Sequence, residues 1–194
     1  MYIYIHLKLC DSFGMLAKTT NIFENQGVSY ARLETALAQV FKVDVESQRG
    51  WFRARIQHLR RLNFFPHGPG RGKVVQYDFM EAARLLFALE LEAAGADPKA
   101  VVQFLSESWV GVPSPGESLS DLVRKAVDPR KEDLFIITWI NVFDQDAPIG
   151  TGHGYPRQFP ALLGNLSQDD KALRVGLFNL SSRLRALRTA LSRQ

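Results

Sequence analysis

"ESQRGWFRARIQHLRRLNFFPHGPGRGKVVQYD", residues 46–78, decides how this chain is read. Between Ser47 and Tyr77 it carries seven basic residues (Arg49, Arg53, Arg55, Arg60, Arg61, Arg71 and Lys73) and no Asp or Glu. The apolar spacing predicts a helix over residues 47–63, capped by Asp44 or Ser47. Gly50 lies in its first turns, where glycine costs about 1 kcal/mol relative to alanine. On a helical projection Phe52, Ile56, Leu59 and Asn63 share one arc, and Arg49, Arg53, Gln57, Arg60 and Arg61 share the next. The first arc is a core face. The second is either a plain solvated surface or an anion-binding one. Solvated faces ordinarily mix signs, and like charges four apart, such as Arg49 and Arg53, repel unless an anion lies between them. The balance falls on nucleic acid.

Pro66 ends that helix, because the residue before a proline avoids the helical region. "HGPGRG" has turn chemistry and "KVVQY" alternates with β-prone residues. With Asn63, Phe64 and Phe65 opposite, residues 66–77 read as a hairpin wing with Arg71 and Lys73 at its tip. A phosphate-cradling G-x-x-x-x-G-K-[ST] loop is excluded. Gly68 stands one residue too close to Gly72-Lys73, Val74 replaces the hydroxyl residue, and the loop leaves a helix rather than a strand.

On the N-terminal side, "SYARLETALAQVF" (29–41) predicts a helix capped by Ser29; with the arginine helix it makes a helix-turn-helix. On the C-terminal side, Asp78 caps a helix that Gly95 ends, and Asp97-Pro98 opens another. "VGVPSPGES" (110–118) reads as a linker, with residues 109–117 as the boundary. A short helix follows at 118–127, then a buried strand at 133–143, a long loop at 144–160, and a final helix from Ser167 onwards. On that last helix Leu173, Leu177, Leu180, Leu184, Leu187 and Leu191 are spaced 4, 3, 4, 3, 4. This is the a/d pattern of a dimer seam, or an ordinary core stripe packing on the 133–143 strand.

Composition sets the outer bounds. The chain has 194 residues, a net charge of +4, and one cysteine, Cys10, which rules out an intrachain disulfide or a cysteine-based zinc site and fits a reducing cytosol. No apolar run approaches a membrane span. "MYIYIHLKLC" alternates like a short strand, so residues 1–26 read as an N-terminal extension, with Met1 or Met15 as the start. His153 and the pair Asp144/Asp146 lack the partners that a metal site or a catalytic centre requires, and His58 and His67 belong to the basic region. No cofactor and no enzymatic activity are expected.

Residues 32–105, from "RLETALAQVF" through "KVVQYDF" to "LEAAGADPKAVVQFL", resemble the DNA-binding domain of MerR-type transcription regulators. That resemblance implies a winged helix-turn-helix over 27–108, with helix 47–63 in the major groove and the wing on the backbone or minor groove. It also implies a dimer formed by a C-terminal helix. The expected protein is mainly α with a small β wing, followed at 118–194 by a small α+β domain for dimerisation or sensing. It would be a cytoplasmic, nucleoid-associated, bacterial-type regulator working with RNA polymerase, reading DNA through Arg49, Arg53, Gln57, Arg60, Arg61, Arg71 and Lys73. The alternative is an adaptor that docks the same basic surface on an acidic protein partner.

Overall fold

The computed structural model describes residues 27–44, 46–65, 75–110, 117–141, 149–161 and 173–193. The chain is mainly helical with small antiparallel sheets. A two-residue strand β1 (Val28–Ser29) leads into α1 (Tyr30–Val40) and then α2 (Arg49–Arg61). Strand β2 (Gln76–Tyr77) precedes α3 (Phe79–Ala93), α4 (Pro98–Ser108) and α5 (Leu119–Ala126). Strands β3 (Phe135–Asn141), β4 (Gly150–Gly154) and β5 (Leu173–Asn179) form a sheet in the order β4-β3-β5, and α6 (Leu180–Ser192) closes the described chain.

The helix boundaries follow local chemistry. Ser29 Oγ accepts from the Arg32 amide at the start of α1. Asp78 and Glu81 form a reciprocal capping box at the start of α3, at 2.7 and 2.9 Å. Asp97 accepts from the amides of Lys99 and Ala100 ahead of Pro98, and Ser118 caps α5. The first three helices end alike, with a left-handed residue after the cap and a pair of backwards amide bonds. These residues are Lys42 (φ 53°), Asn63 (φ 61°) and Gly95 (φ 99°). At Asn63, for example, Asn63 N donates to Arg60 O and Phe64 N to Leu59 O.

Three expectations change here. Helix 47–63 is shorter, because Asp44 accepts from Glu46 N and Ser47 Oγ and holds a turn before Arg49. Residues 63–65 are not the near strand of the wing. Asn63 turns left-handed, and Phe64 and Phe65 are both buried, which an alternating strand does not allow. Strand β2 pairs instead with β1, Val28 opposite Tyr77 and Ser29 opposite Gln76. Part of the 144–160 loop is strand β4, paired with β3 from Trp139–Gly150 to Phe135–Gly154. Its glycines make room for the indole, since a Cβ at Gly150 would collide with the Trp139 ring.

The largest departure is at the C-terminal end. Leu173 and Leu177 lie on β5, and the helix begins only at Leu180, where Asn179 Oδ1 accepts from Ser182 N at 2.8 Å. A spacing of four keeps two residues on one side of a strand as well as near one side of a helix, so the heptad spacing ran across the junction unbroken. Gly176 lets this strand pack closely: a Cβ there would lie 2.7 Å from Thr138 Oγ1 and 3.0 Å from Ala94 Cβ. Leu180, Leu184, Leu187 and Leu191 are all buried within the chain. They are core, not a seam free to meet a second copy, and Leu177 is exposed on the sheet.

Residues on both sides of the expected 109–117 boundary belong to one hydrophobic cluster. Leu33, Leu37, Leu86 and Phe87 share it with Leu122 and Val123 of α5, and with the α6 leucines. Helix α6 is fastened to α1 at both ends: Arg32 Nη2 donates to the Leu191 carbonyl at 2.9 Å, and Arg183 Nη1 to the Val40 carbonyl at 2.8 Å.

Candidate nucleic-acid interface

Helix α2 buries Phe52, Ile56 and Leu59, as the projection anticipated, and this fixes which residues face outwards. One flank lies along α1. There Arg60 stacks over the Tyr30 ring at 4.8 Å. One turn further on, Glu34 is 3% exposed and receives three N–H bonds from Arg53 at 2.8–3.0 Å. Arg49 Nε lies 3.7 Å from the same carboxylate. The opposite flank lies towards α3. Arg55 Nε bonds Glu92 Oε2 at 2.8 Å while its guanidinium covers the Trp51 ring at 4.7 Å. Burial raises the Glu92 carboxyl above its ordinary value, and Arg55 partly offsets this.

Between the flanks runs the exposed crest: Gly50, Ala54, Gln57, His58 and Arg61, with Trp51 at its edge. Trp51 is 60% exposed, which is unusual for so large an apolar side chain. Arg61 bonds back to its own helix, Nε to the Gln57 carbonyl at 3.4 Å. No neighbouring atom lies within 4 Å of where a Gly50 side chain would begin. The crest is therefore narrow at its N-terminal end and carries amide and cationic donors at its C-terminal end. Asp44 and Glu46, both exposed, sit in the turn before it.

The sequence-derived residues thus divide. Gln57 and Arg61 point into solvent. Arg49, Arg53 and Arg60 are displaced to a flank and are each held by α1, although Arg49 and Arg53 remain about half exposed, at 51% and 48%. Arg71 and Lys73 lie outside the described residues. The run of sequence without acids is not free of acids in space, since Glu34 and Glu92 reach it from other helices. The anion that the Arg49/Arg53 repulsion called for is Glu34, nineteen residues before Arg53.

Phe65 and Tyr77, on either side of residues 66–74, belong to one aromatic cluster. Phe65 meets Phe64 at 5.1 Å and Tyr77 at 4.9 Å, and Tyr77 meets Tyr30 at 6.5 Å. Strand β2 is thereby tied to the first turn of α1, beside Arg60. Burial raises the phenols of Tyr30 and Tyr77 above their ordinary value.

Among the described residues no three His, Cys, Asp or Glu cluster as a metal site requires. His153 is an exposed residue of β4 rather than of a loop, and Asp144, Asp146 and His67 lie outside the described residues. No described helix is long and apolar enough to cross a membrane. Sequence reasoning missed Trp51 and Glu34. The indole stood beside the apolar arc without belonging to it, and Glu34 sits among the core positions of α1. A carboxylate at such a position is itself the signal, because a buried acid requires a partner. No protein-family model matches the chain, and no curated protein matches it in sequence.

Proposed function

We propose that the chain is a double-stranded DNA-binding regulator whose α2 crest enters the major groove. A helix fits a groove about 12 Å wide, and Gln57 and Arg61 are side chains able to contact base edges. The observation that carries this reading is the exposed crest itself. It has no carboxylate from Gly50 to Arg61, has small residues where the approach is closest, and keeps two half-exposed arginines on its flank. Arg49, Arg53 and Arg60 then face phosphate rather than bases. Arg71 and Lys73 of the wing would add backbone or minor-groove contacts, by the resemblance to MerR-type winged helix-turn-helix domains. The setting is the cytoplasmic nucleoid, with RNA polymerase as a further partner. A homodimer would need a surface other than the α6 leucines.

The second reading, docking on an acidic protein surface, is favoured by Trp51. An exposed indole stacked with an arginine is typical of protein interfaces, where Trp and Arg are enriched. A gel shift with genomic fragments at near-physiological salt separates the two. A discrete shifted band that survives competitor DNA supports the regulator. Smearing that disappears with salt on every fragment supports the adaptor.

A further inference from the structure

Glu34 has a place in the interface that its burial makes consequential. It is 3% exposed, it lies on α1 rather than on the crest, and it takes three bonds from Arg53 with Arg49 alongside. The two guanidinium groups it holds are the half-exposed cations of the α2 flank. We propose that Glu34 is an internal counter-anion that competes with nucleic-acid phosphate for Arg49 and Arg53 and so restrains binding to random sequence. This rests on the DNA-binding reading above.

Any phosphate that draws Arg53 away leaves a buried carboxylate without its main partner, which opposes the transfer. Phosphate contacts occur on every sequence, because they position the protein and carry no sequence information. A device that weakens them lowers non-specific binding. Contacts from Gln57 and Arg61, which no buried carboxylate holds among the described residues, are not weakened. The ratio of specific to non-specific affinity is therefore raised by a residue that touches no DNA. Tyr30, four residues before Glu34 on the same face of α1, seats Arg60 through its ring rather than through a carboxylate. The restraint is thus confined to Arg49 and Arg53.

The test is a titration of a random-sequence duplex with wild type and Glu34→Gln across a salt series. Glu34→Gln should bind about tenfold tighter at low salt, and its log–log salt slope should steepen by about 0.9 for each arginine released. Arg49→Gln should weaken binding by less than about twofold in wild type and severalfold in the Glu34→Gln background, as expected for coupled neighbours. Unchanged affinity and slope in folded Glu34→Gln would overturn the proposal. So would a loss of affinity, which would make Glu34 a positioning residue for Arg53. If Glu34→Gln does not fold, the wild-type background still decides. A small effect of Arg49→Gln beside a severalfold loss in Arg61→Gln supports the proposal, and equal losses overturn it. Wild type that binds duplex through Arg61 yet ignores Glu34→Gln refutes this inference alone. Absence of salt-dependent duplex binding by both proteins refutes it together with the DNA-binding reading.

Discussion

Arg183 Nη1 donates to the carbonyl of Val40 at 2.8 Å, across 143 residues of chain. The same guanidinium lies over Phe41 at 5.4 Å and places Nε 2.8 Å from Glu90 Oε1. That last contact is an ion pair rather than a well-aligned hydrogen bond. One side chain of α6 therefore joins the end of α1 to the last turn of α3, and α1, whose Glu34 holds Arg53 of the candidate interface, rests on α6.

Leu187→Ala tests that dependence. Leu187 is fully buried, and truncating such a leucine costs about 2–5 kcal/mol. Chemical denaturation should show the loss, with light scattering giving the same mass in solution as wild type. A change of mass with stability preserved would restore the leucines as a seam between copies.

Much of the helical part was legible in the sequence, because its signals are local. Ser29, Asp78, Asp97 and Gly95 act within one turn, and the apolar spacing of Phe52, Ile56 and Leu59 reports one buried face. The sheet was less legible. Strand β5 is set by its pairing with β3, from Phe135–Asn179 to Asn141–Leu173, and the leucine spacing fits helix and strand alike until Asn179 caps α6. The candidate site was half legible. The arginines could be counted along the chain, but the carboxylates that hold them come from α1 and α3, and only folding brings Glu34 and Glu92 into place.

Lys42 stores a removable cost. Its φ of 53° lies in the left-handed region, which disfavours any residue with a Cβ by roughly 1 kcal/mol. Lys42 is exposed and its place in the α1 ending is purely backbone, Lys42 N to Gln39 O. Lys42→Gly should raise Tm by about 2–4 °C in a calorimetric scan. A lowered Tm would mean that the lysine side chain contributes more than its backbone costs.

Glu90 sets a pH dependence. Burial raises its carboxyl above the ordinary 4.5, against the attraction of Arg183. The folded chain then holds a proton there more readily than the unfolded one, so this group's contribution falls as pH rises from 4.5 through the raised value, and levels off above it. Glu90→Gln removes that slope. Its Tm should gain on wild type across the same window and hold a constant difference beyond. A difference that shrinks as pH rises would show that the ion pair outweighs burial.

Gly50 separates stability from binding. With open space around its missing side chain, Gly50→Ala should stabilise the helix by about 0.5–1 kcal/mol. If the crest lies against DNA, the same methyl group stands where the approach is closest, and duplex affinity should fall while Tm rises. Affinity that is unchanged or improved would take the N-terminal end of the crest out of the interface.

The central claim is that the α2 crest contacts duplex DNA, and Arg61 is its most exposed test. The measurement is the affinity of wild type and Arg61→Gln for a genomic fragment retained by the protein, taken over a salt series. A phosphate contact predicts weaker binding and a log–log slope shallower by about 1, and a base contact predicts a loss of about 1–3 kcal/mol on that fragment. Identical affinities and slopes for the two proteins would contradict the account.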